Sequence, residues 1–288
     1  MEFKKNYKDN PSIRNSFFEL AQEVFGIRFE SWFQCGYWTD KYLPFSFLIG
    51  DKVIANVSVN KVGLIVNGAK MKSLQIGTVM THPDFRGNGV SKKLMEHVLE
   101  EFEDEYDILY LFANHSVLDY YPKFGFKAVD ECQYYMNYIP TVPDGSNVKK
   151  LNIESDRDFL YQFAAERMPV SNLFSSYDTQ ELLMFYSLNV FSEDIYYLGD
   201  EDVIVIYQVD EETLHIYDII SKSEVHIHRI LKRIASSKTK KVVFHFTPEF
   251  KEIKLKTEKY VGSEVLFIKT KEGISLTTKF KHPMTAQA

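Results

Sequence analysis

The sequence predicts a mixed α/β fold built from two successive α/β units. Along the whole chain, apolar residues at helical spacing alternate with segments of strand-like alternation. The order of these elements in the second half repeats the order in the first half, and this order alone suggests an internal duplication. Between the halves, Pro140 to Gly145 contains two prolines and an Asp-Gly pair, which favour a linker. We therefore expect one unit at residues 1–143 and a second at residues 144–288, each with a mixed sheet.

The first unit is predicted to begin with two helices and to continue as strands joined by hairpins. Gly50-Asp51 and Asn67-Gly68 mark the hairpin turns. The predicted helices are 12–25, 29–38, 90–103 and 118–124, and the predicted strands are 44–49, 53–59, one ending at 66, 71–81, 107–113 and 126–138.

The second unit repeats this plan with two helices, three strands, a helix and two further strands. Its predicted helices are 156–167, 179–189 and 224–236, and its predicted strands are 195–198, 203–209, 213–220, 241–246 and 264–270.

Composition and charge restrict the class of protein. The net charge is −6 and no long block of Lys and Arg is present, so we expect no nucleic-acid partner. No apolar run approaches the ~20 residues that span a bilayer, and the first ten residues lack the apolar segment of a signal peptide. Cys35 and Cys132 have no metal-binding spacing, and we interpret them as buried free thiols. These features predict a cytoplasmic protein with no membrane segment and no metal.

The segment from Val79 to Ser91 is the strongest sign of chemistry. A predicted strand leads through a turn with two glycines, Gly87 and Gly89, into a helix. The free N–H groups and partial positive charge of a helix start suit a diphosphate. A dinucleotide fingerprint would need a third glycine where Lys92 stands, and a Walker loop would need Gly-Lys-Ser/Thr. A glycine-rich turn with no ligand is the remaining alternative.

The same segment resembles the pyrophosphate-binding motif of the GNAT N-acetyltransferase family, Arg/Gln-x-x-Gly-x-Gly/Ala. The match is Arg86-x-x-Gly89-x-Ser91, and Ser91 departs from the usual Gly or Ala. A second match follows the next strand, where Asn114 precedes Tyr121-x-x-x-Gly-Phe. Together, the two motifs identify residues 12 to 138 as resembling that family.

The resemblance implies a GNAT fold with a splayed central sheet, followed by a degenerate GNAT-like second unit. It implies acetyl-CoA as the acyl donor, with the Tyr121 hydroxyl beside the thioester sulfur as the catalytic group. The residues that it implies for acetyl-CoA binding are Val79, Met80, Thr81, Arg86, Gly87, Asn88, Gly89, Val90, Ser91 and Asn114. The expected reaction is direct attack of a primary amine, from a small molecule or a peptide, on the thioester.

No general base is evident in the sequence. Some members of the family carry Glu six residues before the position of Thr81, where this chain has Gln75. His82, His115 and Asp119 lie nearby, but a structural or a solvent-exposed position is the simpler interpretation of each. A non-catalytic acyl-CoA sensor is therefore the main alternative function, and a structural protein without a ligand is a third.

The second unit lacks the corresponding phosphate site. The segment Ser221 to Val225 contains no glycine, and Glu224 would repel a diphosphate at a helix start. We therefore expect this unit to cover the acceptor site, to shape specificity or to form a homodimer. His226 and His228 would point about 200° apart on a helix, which argues against a shared metal.

Overall fold

The computed structural model describes residues 1–140, 145–276 and 279–288. Within these ranges the chain forms six α-helices and fifteen strands arranged in two mixed sheets. The predicted mixed α/β fold is confirmed. Residues 141–144 of the predicted linker lie outside the described residues, and the division at 143/144 stays a prediction.

The elements follow one another along the chain with these bounds. The helices are α1 Pro11–Phe25, α2 Glu30–Gln34, α3 Val90–Glu101, α4 Arg157–Ala165, α5 Gln180–Asn189 and α6 Ile227–Ile234. The strands are β1 Glu2–Lys5, β2 Tyr42–Ile49, β3 Lys52–Val66, β4 Ala69–Thr81, β5 Ile108–Asn114, β6 Lys127–Val129, β7 Cys132–Asn137, β8 Val148–Lys150, β9 Phe174–Tyr177, β10 Ile195–Leu198, β11 Val203–Asp210, β12 Thr213–Ser221, β13 Lys241–Phe244, β14 Lys256–Lys259 and β15 Glu264–Thr270.

The first sheet has the strand order β1-β2-β3-β4-β5-β15-β6, and β9 also pairs with β3. Within this sheet, β4 and β5 are parallel neighbours, and they pair only from Ser73 opposite Ile108 to Ile76 opposite Leu111. Both strands continue beyond that point without pairing with each other. The sheet is therefore splayed between β4 and β5, as the resemblance to the GNAT family implies.

The second sheet has the order β14-β7-β13-β12-β11-β10-β8. Each sheet takes a strand from the opposite half of the chain. The strand β7 pairs with β13 and β14, while β15 lies between β5 and β6 in the first sheet. The two sheets therefore share strands, in contrast to the expectation that each half completes its own sheet.

Several predicted elements differ from the structure. The segment 126–138 is two strands in different sheets, because the chain leaves the first sheet after Val129. The segment 53–66 is one continuous strand, β3, and the short helix before Gly125 is a 3₁₀ helix at Tyr121–Phe124. The strands β1, β8, β9 and β14 are not predicted, since they are short and have few apolar residues or an irregular pattern.

Some predicted side-chain environments also differ. The helix α6 begins at Ile227, so Glu224 and His226 precede it. The helical-spacing argument about the two histidines is therefore wrong, and both bond to Glu252: His226 to its carboxylate at 2.8 Å and His228 to its carbonyl oxygen at 3.2 Å. Cys35 and Cys132 are free thiols, but they are half-buried rather than buried.

A large apolar core joins the two halves. Phe17 of α1 and Trp32 of α2 belong to the same buried cluster as Leu183 of α5 and Ile206 of β11. A separate cluster packs α3 against the first sheet. Because burial of apolar area is the main stabilising contribution to folding, the shared cluster fixes α5 beside α1 and α2. Across the described ranges, no helix combines the length and the apolar character needed to cross a membrane.

The segment 280–288 runs from the second sheet to the splayed edge of the first. Lys281 is fully buried and its ammonium lies 3.0 Å from the Glu131 carboxylate. Thr285 donates a hydrogen bond of 2.7 Å to Asp218 of β12. This segment, which we call the terminal strap, ends beside Gln75 of β4.

Candidate active site

A cavity of about 470 Å³ opens where β4 and β5 separate. It extends from the turn before α3 to a wall formed by α2, α5 and the terminal strap. Its lining residues are Phe25, Ile27, Phe29, Trp32, Tyr42, Ile76, Gly77, Thr78, Val79, Thr81, Arg86, Ser91, Phe112, Ala113, Asn114, Val117, Tyr120, Tyr121, Leu182, Phe185, Tyr186, Glu264, Gln287 and Ala288.

The structure brings most of the predicted site together along this cavity. The predicted residues that line it are Val79, Thr81, Arg86, Ser91, Asn114 and Tyr121. The side chains of Met80 and Val90 instead lie buried in the cores. Gly87, Asn88 and Gly89 form an exposed turn at one end. Successive side chains of a strand point to opposite faces, which explains why Val79 and Thr81 face the cavity and Met80 does not.

The backbone conformation of the turn before α3 explains why it contains two glycines. Gly87 has a φ of 77° and Gly89, which caps α3, has a φ of 70°, and both angles disfavour L side chains. A Cβ atom at either position would meet no protein atom within 4 Å, so the space outside this turn is open. Exposed N–H groups at a helix start beside open space fit a diphosphate.

Two side chains at this end are held by hydrogen bonds. Arg86 donates through Nε to the carbonyl oxygen of Thr81 at 3.1 Å, which leaves the other guanidinium nitrogens for a ligand. The Ser91 hydroxyl lies 2.8 Å from the Tyr120 hydroxyl. Ser91, the departure from the family motif, thus links α3 to the segment that carries Tyr121.

Tyr121 is nearly buried beneath the cavity. Its ring lies 5.7 Å from that of Phe267 on β15 and 5.1 Å from that of Tyr120, measured between centroids. No described residue forms a hydrogen bond with its hydroxyl, which leaves this donor available. Burial raises the pKa of Tyr121 well above its usual value, with smaller contributions from Tyr120 and Glu264, so the hydroxyl stays protonated at neutral pH.

Glu264 is a cavity residue that the sequence did not reveal. It begins β15 and lies directly opposite Asn114 on the neighbouring strand β5. It is accessible through the cavity, yet the surrounding protein partly desolvates its carboxyl group and raises its pKa. Glu264 lines the same cavity as Tyr121 and Tyr186, and its charge adds to the effect of burial in raising the pKa of both tyrosines.

The position of Gln75 explains why this chain lacks the family's glutamate there. Gln75 is fully buried in β4. With its amide oxygen facing the strap, it accepts a hydrogen bond of 2.7 Å from the N–H of Ala288 and donates one of 3.1 Å to the carbonyl oxygen of Ala286. An ionised carboxylate cannot donate, so the amide serves both partners where a carboxylate would serve only one.

Gly77, two residues further along β4, contacts the same segment. A Cβ atom there would lie 2.8 Å from the carbonyl carbon of Ala288, closer than real contacts allow. Glycine therefore permits the terminal strap to lie against the splayed strand and to form one wall of the cavity.

None of the other candidate bases lines the cavity, and two of them, His82 and His115, have partners within the protein. His82 caps the short 3₁₀ helix Pro83–Phe85 and accepts through Nδ1 a 3.3 Å hydrogen bond from the N–H of Asp84. His115 lies 3.1 Å from the carbonyl oxygen of Gly262. Asp119 is exposed on the surface.

A strained residue lies in the cavity wall. Thr78 has a φ of 49°, which is rare for a β-branched residue, at a bulge between β3 and β4. Its hydroxyl lies 3.0 Å from the Tyr42 hydroxyl and its carbonyl oxygen accepts 2.9 Å from Asn56. Strain of this kind costs of the order of 1–3 kcal/mol, and these part-buried hydrogen bonds offset it. The bulge turns the last part of β4 away from β5.

The side chains in the described ranges form no cluster suited to binding a metal ion. No group of three or more His, Cys, Asp or Glu side chains there is arranged to hold an ion.

Comparison with known families matches residues 12–129 to the model described as "Acetyltransferase (GNAT) domain". The matched span includes the turn before α3, Asn114 and Tyr121. Residues 12–129 are a GNAT acetyltransferase domain. The GNAT domain thus covers β2 to β6 of the first sheet, and this family transfers acyl groups with acetyl-CoA as donor. Among curated proteins, no significant match to the sequence is found.

Solved structures extend the likeness of fold beyond the GNAT domain. A protein of unknown function from Enterococcus faecalis V583, described as a probable N-acyltransferase, has a TM-score of 0.63 at 16% identity, over 93% of this chain and 72% of its own. Eis1 from Mycobacterium abscessus has a TM-score of 0.57 at 11% identity, over 92% and 73%. A GCN5-related N-acetyltransferase from Anabaena variabilis ATCC 29413 has a TM-score of 0.57 at 15% identity, over 93% and 73%.

These likenesses concern the fold. They cover more than nine-tenths of the chain, so the arrangement of a GNAT domain followed by a second α/β region recurs in other proteins.

Proposed function

We propose that the protein transfers the acetyl group of acetyl-CoA to a primary amine. The observation that supports this most is the cavity at the splayed strands, which joins the turn at Arg86 to the Tyr121 hydroxyl within a GNAT domain. A ligand that reaches from one to the other needs a diphosphate at one end and a reactive group some distance away, as acetyl-CoA has.

The proposed binding site has two parts. The exposed N–H groups of the turn from Gly87 to Gly89 and the free nitrogens of Arg86 bind the diphosphate. Between β4 and β5, the backbone groups of residues 77–81 that face the splay have no partner on β5 and bind the pantetheine arm, together with the Asn114 side chain. The donor supplies an activated acetyl thioester to this site.

Tyr121 assists departure of the thiolate. Its hydroxyl is protonated at neutral pH because burial raises its pKa, and no described residue uses its proton. A hydroxyl in this state donates a hydrogen bond to the sulfur as negative charge develops there.

A coupled assay tests the proposal. Purified protein with acetyl-CoA and a panel of primary amines should release free thiol. Tyr121→Phe should lower kcat by about 10²-fold or more with little change in CoA affinity, because only the hydroxyl is removed. Tyr135→Phe, on β7 in the second sheet, is the matched control and should behave as wild type.

Binding without turnover would support a different function. The buried amide at Gln75, in place of the family's carboxylate, favours a sensor of acyl-CoA as the second candidate. In that case CoA at 100 times its Kd would still stabilise the fold by about 2.7 kcal/mol, while no amine in the panel would release thiol.

A further inference from the structure

We propose that the acceptor is a small primary amine with an aromatic or branched apolar body, and that Glu264 accepts the proton of its nitrogen. This inference rests on the proposed acetyl transfer and specifies the acceptor class and the base. The composition of the cavity wall opposite the proposed acetyl-CoA site is the first observation that supports this acceptor class.

The wall opposite the turn at Arg86 is apolar and largely aromatic. Its members include Phe29 from the loop between α1 and α2, Trp32 of α2, Tyr42 of β2, and Leu182, Phe185 and Tyr186 of α5. Ring centroids are 5.5 Å apart for Phe29 and Phe185, and 5.5 Å for Trp32 and Tyr42. Spacings of this kind are typical of well-packed aromatic clusters, so the wall has a fixed shape.

Two polar atoms of this wall already have partners. The Trp32 indole N–H donates to the carbonyl oxygen of Glu181 at 2.7 Å. The Tyr42 hydroxyl accepts from Ser58 at 2.9 Å and lies 3.0 Å from the Thr78 hydroxyl. Both side chains therefore present mainly carbon to the cavity, and a polar acceptor would lose its hydration without gaining bonds from them.

Glu264 supplies the negative charge in this cavity. Among the described lining residues, Arg86 and Glu264 are the two with charged side chains. Arg86 belongs to the diphosphate end. Glu264 stands opposite Asn114 in the β5–β15 ladder, on the same face of the sheet, and acts electrostatically on Tyr121. Glu264 lines the same cavity as Tyr121, at the proposed thioester site, and as Tyr186 of the apolar wall.

The size of the cavity restricts the acceptor to small molecules. Its volume of about 470 Å³ must hold the end of the pantetheine arm as well as the acceptor. Pockets of about 300–1,000 Å³ hold drug-sized ligands. One monocyclic or bicyclic amine matches this volume, and side chains of α5 and of the terminal strap line the cavity on the acceptor side.

The chemical step balances with these groups. The neutral amine nitrogen forms a bond to the thioester carbonyl carbon, and the C–S bond breaks with its electron pair on sulfur. The nitrogen's proton passes to the Glu264 carboxylate, and the thiolate is hydrogen-bonded by the Tyr121 hydroxyl. The raised pKa of Glu264 makes its carboxylate a stronger base than a carboxylate with the usual pKa.

Competing amines test the acceptor class. With acetyl-CoA, phenethylamine and tryptamine should give a kcat/KM at least about tenfold above those of ethanolamine and putrescine, because burial of the ring is favourable. Putrescine should be the poorest of the four, since its second ammonium would be buried in the apolar wall.

Glu264→Gln tests the base with a nearly isosteric change. It should lower kcat for phenethylamine by about 10²- to 10⁴-fold. The rise of Tm with CoA should persist and would show that the variant is folded and binds the donor. Glu272→Gln, on the exposed turn after the same strand, removes a carboxylate outside the cavity and should retain wild-type kinetics.

The outcomes separate this inference from the proposed function. Thiol release that favours ethanolamine or putrescine would overturn the acceptor class while leaving acetyl transfer in place. An unchanged kcat in folded Glu264→Gln would overturn the role of Glu264. Absence of thiol release with every amine would overturn both the inference and the proposed enzyme.

Discussion

The glutamine in the middle of β4 can be replaced by the glutamate that some GNAT members carry at that position. Gln75→Glu is nearly isosteric, yet the two hydrogen bonds of Gln75 make opposite demands on the new side chain. The N–H of Ala288 requires an acceptor and the carbonyl oxygen of Ala286 requires a donor. A protonated glutamic acid meets both demands, whereas a carboxylate meets only the first.

The loss of folding stability expected for Gln75→Glu follows from the complete burial of position 75. Leaving the carbonyl oxygen of Ala286 without a donor costs about 1–3 kcal/mol, and keeping the carboxyl protonated costs about 1.4 kcal/mol per pH unit above its unfolded pKa. The folded pKa of the introduced carboxyl is raised by burial, so stability is closest to wild type at low pH and is lost as pH rises. We expect a deficit below about 1 kcal/mol at pH 5 and about 2–4 kcal/mol at pH 8.

Thermal unfolding at the two pH values measures this difference. Since 1 kcal/mol corresponds to about 2–4 °C in a chain of this size, the Tm of Gln75→Glu should lie about 5–15 °C below wild type at pH 8. Gln75→Met removes both bonds without adding a charge and should show a similar deficit at both pH values. A pH-independent deficit in Gln75→Glu, or a higher kcat, would refute the structural role assigned to Gln75.

Three further predictions concern other parts of the molecule. Arg86→Glu should abolish the rise in Tm with CoA, measured by scanning fluorimetry, because it places a negative charge at the diphosphate end; a retained shift would contradict the assignment. Lys281→Met should cost about 3–5 kcal/mol in urea unfolding, since it leaves the buried Glu131 carboxylate unpaired, and adding Glu131→Gln should recover part of the loss. Burial lowers the pKa of His245 and of His282 to about 3, so both are neutral when folded; the free energy of unfolding should therefore fall as pH decreases below about 6.5, and a flat profile from pH 7 to 5 would argue against it.

Local patterns in the sequence were sufficient to predict many of the helices and hairpins of the fold. Helical spacing predicted α1 and α5 to within about one residue at each end, because their apolar faces are buried. The hairpin between β3 and β4 followed from Asn67-Gly68, both of which have positive φ. The splay between β4 and β5 came from the resemblance to the GNAT family and is confirmed.

The exchange of strands between the sheets could not be predicted from local pattern. The segment 264–270 shows ordinary strand composition, and nothing in it indicates pairing with β5, more than 150 residues earlier. Pairing partners are chosen by the whole fold, so Glu264 remained outside the predicted site. The only local sign would have been an acidic residue at the start of an otherwise apolar strand.

The role of Gln75 was also beyond the sequence. Its lack of basicity was evident, but its two partners lie on a segment more than 200 residues away. His82 and His115, in contrast, have the structural surroundings that their sequence context favoured.

The place of β15 and the terminal strap has a consequence during protein synthesis. The ribosome synthesises the turn at Arg86, and then Tyr121, early. Glu264 and the residues that bond to Gln75 follow more than 140 residues after Tyr121. Until then β6 lacks its neighbour and the cavity lacks a wall. Under the proposed function, a nascent chain can form the acyl-donor site well before it can enclose an acceptor, so acetyl transfer should begin only when β15 and the terminal strap have docked.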